Sequence, residues 1–198
     1  MRRELTQEDM IRSRIPRRHW KANLDGVQES VKGVAAKYLD NLQSMQDKGV
    51  GLLLWGQNGV GKTSLSVVIG KEYRRRGYSL MFMEAAELKS VVVDREMFDE
   101  DQSLWDRAKS VDVLLLDDLG KGVQDSTGFG MRLLDELIRH RNANKRVTFI
   151  TTNMTVKGLE EELKGSTMHS LKECIYPVRI AGDDLRESIK TEIGEILK

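Results

Sequence analysis

Short apolar runs recur along the chain, and each is followed by a segment whose apolar residues repeat at helical spacing. Each run is only a few residues long, which suits a strand buried on both faces better than a helix. Strands that alternate with helices in this way predict an α/β fold built on a five-stranded parallel sheet. The predicted strands are residues 50–55, 79–83, 112–116, 146–153 and 176–180.

The predicted helices have recognisable ends. Thr6-Gln-Glu-Asp9 resembles a capping box that opens a short helix through about Arg14, and Pro16 ends it. A longer helix is expected at residues 27–45, and Gly49 stands where a C-terminal cap would lie. The other predicted helices are residues 64–76, 85–93, 102–108, 131–138, 156–163 and 183–197.

The first predicted strand runs directly into a glycine-rich turn that opens a helix, and this turn reads G-x-x-x-x-G-K-T. This is the Walker A or P-loop pattern, and its position between a strand and a helix makes a chance match rare. Glycines let phosphate oxygens approach the backbone, while the loop N–H groups and the helix N-terminus present positive partial charge to an anion. The predicted nucleotide-binding residues are Gly56, Gln57, Asn58, Gly59, Val60, Gly61, Lys62, Thr63 and Ser64.

Two residues of this loop have specific expected roles. Lys62 is expected to reach the β- and γ-phosphates, to act in catalysis and to face solvent until phosphate arrives. The Thr63 hydroxyl is expected to hold Mg²⁺. The loop therefore predicts a site for a nucleoside triphosphate together with this metal ion.

A second chemical landmark is the strand at residues 112–116, which ends in Asp117 and Asp118. An apolar run that ends in paired acids fits Walker B, because parallel strands deliver side chains to their carboxyl edge. Asp117 is expected to belong to the Mg²⁺ shell, and Asp118 to orient or deprotonate the attacking water. Asn153, at the end of the strand at 146–153, can position water near the γ-phosphate. An Asn at a strand end is also common in plain turns.

Composition limits the function less than these motifs do. The chain has 198 residues, of which 32% are charged and 39% hydrophobic, and a net charge of +1, which suits one globular domain. Cys174 is the single cysteine and is expected to be a small apolar filler in a reducing compartment. The start has no apolar signal segment, and no apolar run approaches membrane-spanning length. We therefore expect a cytoplasmic protein with no membrane contact.

Positive charge is concentrated in residues 1–21, which we predict to be a basic arm or linker before an ATPase domain at residues 22–198. The arm has seven basic and three acidic residues, a local net charge of +4, and it contains His19 and Trp20. Basic and aromatic side chains together can bind phosphates and stack on bases, which favours a contact with single-stranded DNA. The simpler alternative is a solvated arm whose Trp20 packs on the core.

Taken together, these motifs resemble the DnaC/IstB-like branch of the AAA+ ATPases, which contains bacterial and phage helicase loaders and their transposition relatives. Phe149-Ile-Thr-Thr-Asn153 is similar to the first sensor of this family, and Gly182-Asp-Asp-Leu-Arg186 is similar to the second. The resemblance implies that Arg186 contacts the γ-phosphate. It also implies an AAA+ (ASCE) P-loop fold with sheet order 5-1-4-3-2 and flanking helices, ATP with Mg²⁺, and self-association on ATP binding.

The same resemblance implies an ATPase that loads or remodels a replicative DNA helicase, with single-stranded DNA in reach. Two features depart from the family. The match starts near Ile15, which leaves little preceding chain for the family's partner-binding module. No arginine lies between Val147 and Val178, where the family's arginine finger is expected, and Lys164 and Lys172 are the cations nearest to that place. Because lysine lacks the planar guanidinium fork, we expect slow hydrolysis without a partner.

Other functions remain open at this point. The chain can be a nucleotide-gated binding or scaffold module that scarcely hydrolyses ATP, or an IstB-like accessory ATPase of transposition. A GTPase is a weaker alternative: Asp117-Asp-Leu-Gly120 satisfies D-x-x-G, but Asn144-Lys-Arg-Val147 lacks the acid of the guanine-reading motif. A small-molecule kinase is also weaker, because no arginine-rich lid segment follows the Walker B strand.

Overall fold

The structure, a computed structural model, describes residues 3–25, 27, 29–90, 104–120, 128–163, 165–185 and 195. Five parallel strands form one sheet in the order β2-β3-β4-β1-β5, which is the predicted order 5-1-4-3-2 read from the other edge. The predicted fold is therefore confirmed. The strands are β1 Gly51–Trp55, β2 Leu80–Glu84, β3 Val113–Asp117, β4 Val147–Thr152 and β5 Ile175–Arg179.

Helices pack on both faces of this sheet and complete two hydrophobic cores. One core joins the sheet to α2 and α4, and the other joins it to α5, α6 and α8. The helices are α1 Gln7–Arg12, α2 Glu29–Asp40, α3 Leu42–Lys48, α4 Lys62–Arg75, α5 Leu104–Ser110, α6 Phe129–Ala143, α7 Val156–Glu162 and α8 Ser166–Cys174, and 3-10 turns lie at Arg17–His19 and Ala85–Glu87.

The helix predicted at residues 27–45 is in fact two helices, so that prediction is wrong. The break is at Asn41, whose side-chain Nδ2 donates 2.9 Å to the carbonyl of Lys37. A side chain that bonds the backbone in this way competes with regular helix hydrogen bonding. Gly49 ends the second helix with φ +70, as predicted for a cap, and a Cβ there would lie 2.6 Å from Lys145 Cα.

One helix, α8, was not predicted. Its apolar positions are few, and polar residues such as Ser170 separate them, so the periodic signal is weak. Leu171 and Cys174 are nevertheless buried against α6. Cys174 is 4% exposed in this core, as expected of an apolar filler, and burial raises the pKa of its thiol to about 11. The helices predicted at 85–93 and 183–197 lie partly outside the described residues.

The basic arm packs onto the sheet and α4. The predicted capping box is present, because the Thr6 hydroxyl accepts from the Asp9 backbone N–H and the Asp9 carboxylate accepts from the Thr6 N–H. Asp9 is buried, and it pairs with Arg3 and with Arg74 of α4 at 2.9 Å each. The Thr6 backbone hydrogen bond, with these two arginines, holds the pKa of Asp9 below its ordinary value.

Two further contacts fix the arm's course. The Ser13 carbonyl accepts a 2.8 Å hydrogen bond from the N–H of Phe82 on β2, which is an edge strand of the sheet. Trp20 is half-buried against the core, as the simpler alternative for the arm predicted, and its Nε1 donates 2.8 Å to the Ile15 carbonyl.

Arg141 on α6 is the most deeply buried cation among the described residues, at 1% exposure. Burial lowers the pKa of its guanidinium to about 9, which leaves it charged at neutral pH. The guanidinium ties α5 and the turn after it to the start of β4. It donates to the carbonyls of Ala108, Val111 and Val147 and to the hydroxyl of Thr148, at 2.6 to 2.9 Å.

We predict that Arg141→Met destabilises the protein strongly, because three buried carbonyls and a hydroxyl lose their donor. Breaking such a buried charged network costs roughly 3–5 kcal/mol. The melting temperature should fall by about 2–4 °C for each kcal/mol lost. The matched control is Arg139→Met on the same helix, whose side chain is 52% exposed in a pair with Asp135. The control should stay within about 0.5 kcal/mol of wild type, and similar melting for both variants would contradict the structural role of Arg141.

Candidate nucleotide-binding site

The P-loop connects the end of β1 to the start of α4, and its glycines are required by its shape. Gly59 has φ +78 and Gly61 has φ +91, a backbone conformation that other residues rarely adopt. A Cβ on Gly59 would lie 1.7 Å from Oδ1 of Asp184, and the Gly59 carbonyl accepts from the Leu185 N–H. The loop is thus packed closely by the segment that follows β5.

The other loop residues divide into exposed and buried positions. Gln57 and Asn58 are exposed, so their side chains can reach a ligand. Val60 is buried in the core at 2% exposure, so only its backbone is available to a phosphate. Ser64 is half-buried in the first turn of α4.

Lys62 differs from its prediction. It was expected to face solvent, but it is only 8% exposed. Its ammonium donates to the carbonyls of Gly56 at 3.0 Å and Gln57 at 2.6 Å, and to Oδ1 of Asn153 at 2.7 Å. The physical reason is that a buried ammonium needs acceptors, and the loop carbonyls and Asn153 supply them.

Asp117 lies where the prediction placed a metal ligand. Its Oδ1 accepts from the Thr63 hydroxyl at 2.8 Å and from the Thr151 hydroxyl at 2.6 Å, and the residue is only 5% exposed. The Thr63 hydroxyl and the Asp117 carboxylate are hard oxygen donors side by side, as Mg²⁺ requires. Mg²⁺ usually takes one or two protein oxygens and completes its shell with phosphate and water. The residues therefore fit the ion.

Asp118 and Asn153 are exposed and lie next to each other. Asn153 Nδ2 donates to Oδ1 of Asp118 at 3.1 Å, so Asn153 connects Lys62 to Asp118. Asp118 has φ +55, an uncommon conformation for a residue other than glycine, and its N–H donates to the Thr151 hydroxyl at 2.9 Å. Of the predicted site residues, Arg186 lies outside the described residues.

These side chains surround a cleft of about 440 Å³. Five further residues that sequence reasoning did not assign to the site also line it, namely Arg18, His19, Glu84, Thr151 and Leu185. Glu84 ends β2 and is in register with Asp117 on β3. The sequence does contain a signal for Glu84, because its apolar strand ends in an acid as β3 does. Arg18 and His19 come from the arm, which was predicted to be either a DNA contact or a solvated segment.

His19 sits between the arm and the P-loop helix. Its Nδ1 lies 3.3 Å from the Ser64 hydroxyl, and its Nε2 accepts from Arg18 Nε at 3.0 Å. Burial lowers the pKa of His19, the charge of Arg18 lowers it further, and Asp117 acts in the opposite direction. The imidazole is therefore neutral at neutral pH, with Nε2 as the acceptor and Nδ1 as the protonated nitrogen.

A P-loop between a parallel strand and a helix, facing a Walker B carboxylate, defines a P-loop nucleotide-binding protein. Its sheet order is the one that the resemblance to the AAA+ ATPases implied. A family model described as IstB-like ATP binding protein matches residues 2–172. The chain belongs to this family, as the resemblance in its motifs predicted.

Known relatives include helicase loaders. The chain is 27% identical over 157 residues to the replicative helicase loader DnaI of Bacillus subtilis, covering 70% of this chain and 48% of the relative. It is 25% identical over 119 residues to the loader DnaC of Escherichia coli K12, covering 59% and 48%. The chain thus spans about half the length of these curated relatives. A crystal structure of the DnaC helicase loader has the same fold, with a TM-score of 0.73, 24% identity, and coverage of 84% of this chain and 100% of that chain.

Within the described ranges, every helix is too short or too polar to cross a membrane.

We predict that Lys62→Ala weakens ATP binding roughly ten- to hundredfold, because each charge-assisted bond to phosphate is worth about 1.5–3 kcal/mol. Calorimetric titration with ATP and Mg²⁺ measures the effect. Lys48→Ala, which removes an exposed lysine at the end of α3, is the matched control and should bind as wild type does. Wild-type affinity in Lys62→Ala, with an unchanged melting temperature, would show that the P-loop is not the nucleotide site.

Proposed function

We propose that this chain binds ATP with Mg²⁺ and hydrolyses it slowly, in the service of loading or remodelling a replicative DNA helicase. The observation that supports this proposal is the meeting of Lys62, Asp117, Asp118 and Asn153 at one cleft beside the P-loop. Membership of an ATP-binding family and relatives named as helicase loaders support the choice of nucleotide and process.

Each residue has a distinct part in the proposed reaction. Thr63 and Asp117 would hold Mg²⁺, which would neutralise charge on the phosphates when bound. Asp118 is exposed at the cleft and orients the attacking water or accepts its proton. Asn153, bonded to Asp118, fixes the direction of that carboxylate and can donate to the same water.

Binding and chemistry are connected through Lys62. In the structure its ammonium donates to Asn153, which in turn donates to Asp118. Phosphate oxygens compete for that ammonium, because they are strong anionic acceptors. When Lys62 turns to phosphate, Asn153 Oδ1 loses its donor and becomes an acceptor for water. Arrival of the triphosphate thus prepares the two side chains that face the water.

Slow turnover is expected because the candidates for the role of arginine finger in this chain are lysines. An arginine finger is worth about 10³–10⁵ in rate, which corresponds to roughly 4–7 kcal/mol of barrier. Lys172, one of the two candidates to replace it, pairs with Glu160 at 2.8 Å on the surface between α7 and α8. Lys164, the other candidate, lies outside the described residues. Asp118 is also shorter than the glutamate that many ATPases carry there.

The partners are proposed on the same basis. A replicative helicase follows from the relatives' names, and self-association on ATP binding follows from the family resemblance. Fewer arm residues are available to contact single-stranded DNA than the charge of the arm suggested, because Arg12 pairs with Glu8 and Arg14 pairs with Glu87. An IstB-like role in transposition is the second candidate, and the family match favours it equally.

We predict that Asp118→Asn lowers ATP hydrolysis by roughly a hundredfold or more, because it removes the charge that activates water. ATP affinity should change little, since Thr63 and Asp117 still hold the metal. Single-turnover hydrolysis and calorimetric binding measure the two effects separately. The control is Asp40→Asn at the exposed end of α2. Equal losses of binding and hydrolysis in Asp118→Asn would instead assign Asp118 to the metal shell.

We predict slow single-turnover hydrolysis by the protein alone, even at high concentration, with stimulation when single-stranded DNA and a replicative helicase are added. The reason is that the stretch between Val147 and Val178, where the family's arginine finger is expected, contains lysines but no arginine. Brisk turnover alone that is lost in Lys172→Ala would contradict this, because the chain would then carry its own trans-acting cation. Tight ATP binding with no turnover under any of these conditions would favour the nucleotide-gated binding module.

A further inference from the structure

The arm does more than cover the sheet, because it is fixed directly beside the P-loop helix. Lys71 of α4 is buried at 6% exposure, and its ammonium donates 2.7 Å to each of the carbonyls of Trp20 and Ala22. The 3-10 turn Arg17–His19 immediately precedes these carbonyls. This turn is therefore held at a defined position relative to the phosphate-binding end of the same helix.

Two side chains of this turn, those of Arg18 and His19, line the cleft and form a chain of polar contacts that reaches Ser64. Arg18 Nε donates to His19 Nε2, so the neutral imidazole carries its proton on Nδ1 and donates it to the Ser64 hydroxyl. Ser64 then has its own hydroxyl proton to donate elsewhere. The Arg18 guanidinium uses one of its five N–H groups in this contact, and Arg18 lines the cleft.

The negative charge at the cleft favours a further positively charged side chain such as Arg18. Glu84, Asp117 and Asp118 bring three carboxylates to it, while a nucleotide brings several further negative charges. Lys62 is expected at the β- and γ-phosphates. Among the described residues that line the cleft, Arg18 is the one guanidinium. Ser64 directly follows the metal-binding Thr63 in the first turn of α4, next to the loop whose N–H groups cradle the α- and β-phosphates.

We propose that Arg18 binds the α-phosphate of the nucleotide and that His19 is a positioning residue that holds Arg18 and the Ser64 hydroxyl toward it. This inference rests on the proposed function and adds a contact from outside the P-loop. A guanidinium suits this place because its planar fork can pair with two phosphate oxygens. Residues 15–22 are then part of the nucleotide site and not only a linker that precedes it.

The test is calorimetric titration of ATP and of ADP, both with Mg²⁺, into the full chain. Arg18→Ala should weaken both nucleotides by the same factor, about tenfold or more, because both carry the α-phosphate. Arg18→Lys should recover part of the loss, since charge is kept while the fork is lost. His19→Ala should weaken both nucleotides by a smaller common factor. Lys21→Ala, an exposed lysine of the same arm, is the matched control and should bind as wild type does.

Three results would overturn the assignment. Unchanged affinity in a folded Arg18→Ala variant would remove the arm from the nucleotide site. A loss confined to ATP would place Arg18 at the γ-phosphate. A loss of single-stranded DNA binding without any loss of nucleotide binding would return Arg18 to a DNA contact. Failure of the wild-type chain to bind ATP is distinguishable from these, because it would overturn the proposed function itself together with this inference.

Discussion

The geometry of the site depends on one carboxylate oxygen. Oδ1 of Asp117 accepts hydrogen bonds from the hydroxyls of Thr63 and Thr151, and these bonds join β3 to the P-loop helix and to β4. Asp117 is buried, so its charge would be costly without these donors. Lys62, Asp118 and Asn153 meet at the same place because each follows or precedes one of these three residues closely in the chain.

Much of this arrangement could be predicted from the sequence, because strong local rules apply there. The P-loop has a fixed spacing, the Walker B strand is continuous and apolar, and Thr6 and Gly49 obey known rules for helix ends. The strand order came from the family resemblance, since periodicity alone does not order parallel strands. Thr63 and Asp117 were expected to lie together because the Walker A and Walker B patterns assign both of them to the same Mg²⁺ ion.

The rest depended on contacts between segments far apart in the chain, which a local pattern does not encode. Lys62 is buried because Asn153, ninety-one positions away, supplies an acceptor. Glu84 and Arg18 join the cleft only because β2 lies beside β3 and the arm lies beside α4. The break at Asn41 was missed for another reason: a side-chain hydrogen bond interrupts a helix whose apolar periodicity continues through it.

The contact between Ser13 and Phe82 has a consequence beyond stability. An edge strand with an unpaired N–H is a place where an extended segment of another protein can add to a sheet. At Phe82 that place is already taken by the chain's own backbone. A protein that paired with β2 there would have to lift the segment that leads, five residues later, to Arg18. The sheet edge and the nucleotide cleft would then compete for one stretch of backbone. Binding of a partner strand to β2 would therefore lower the affinity for the nucleotide.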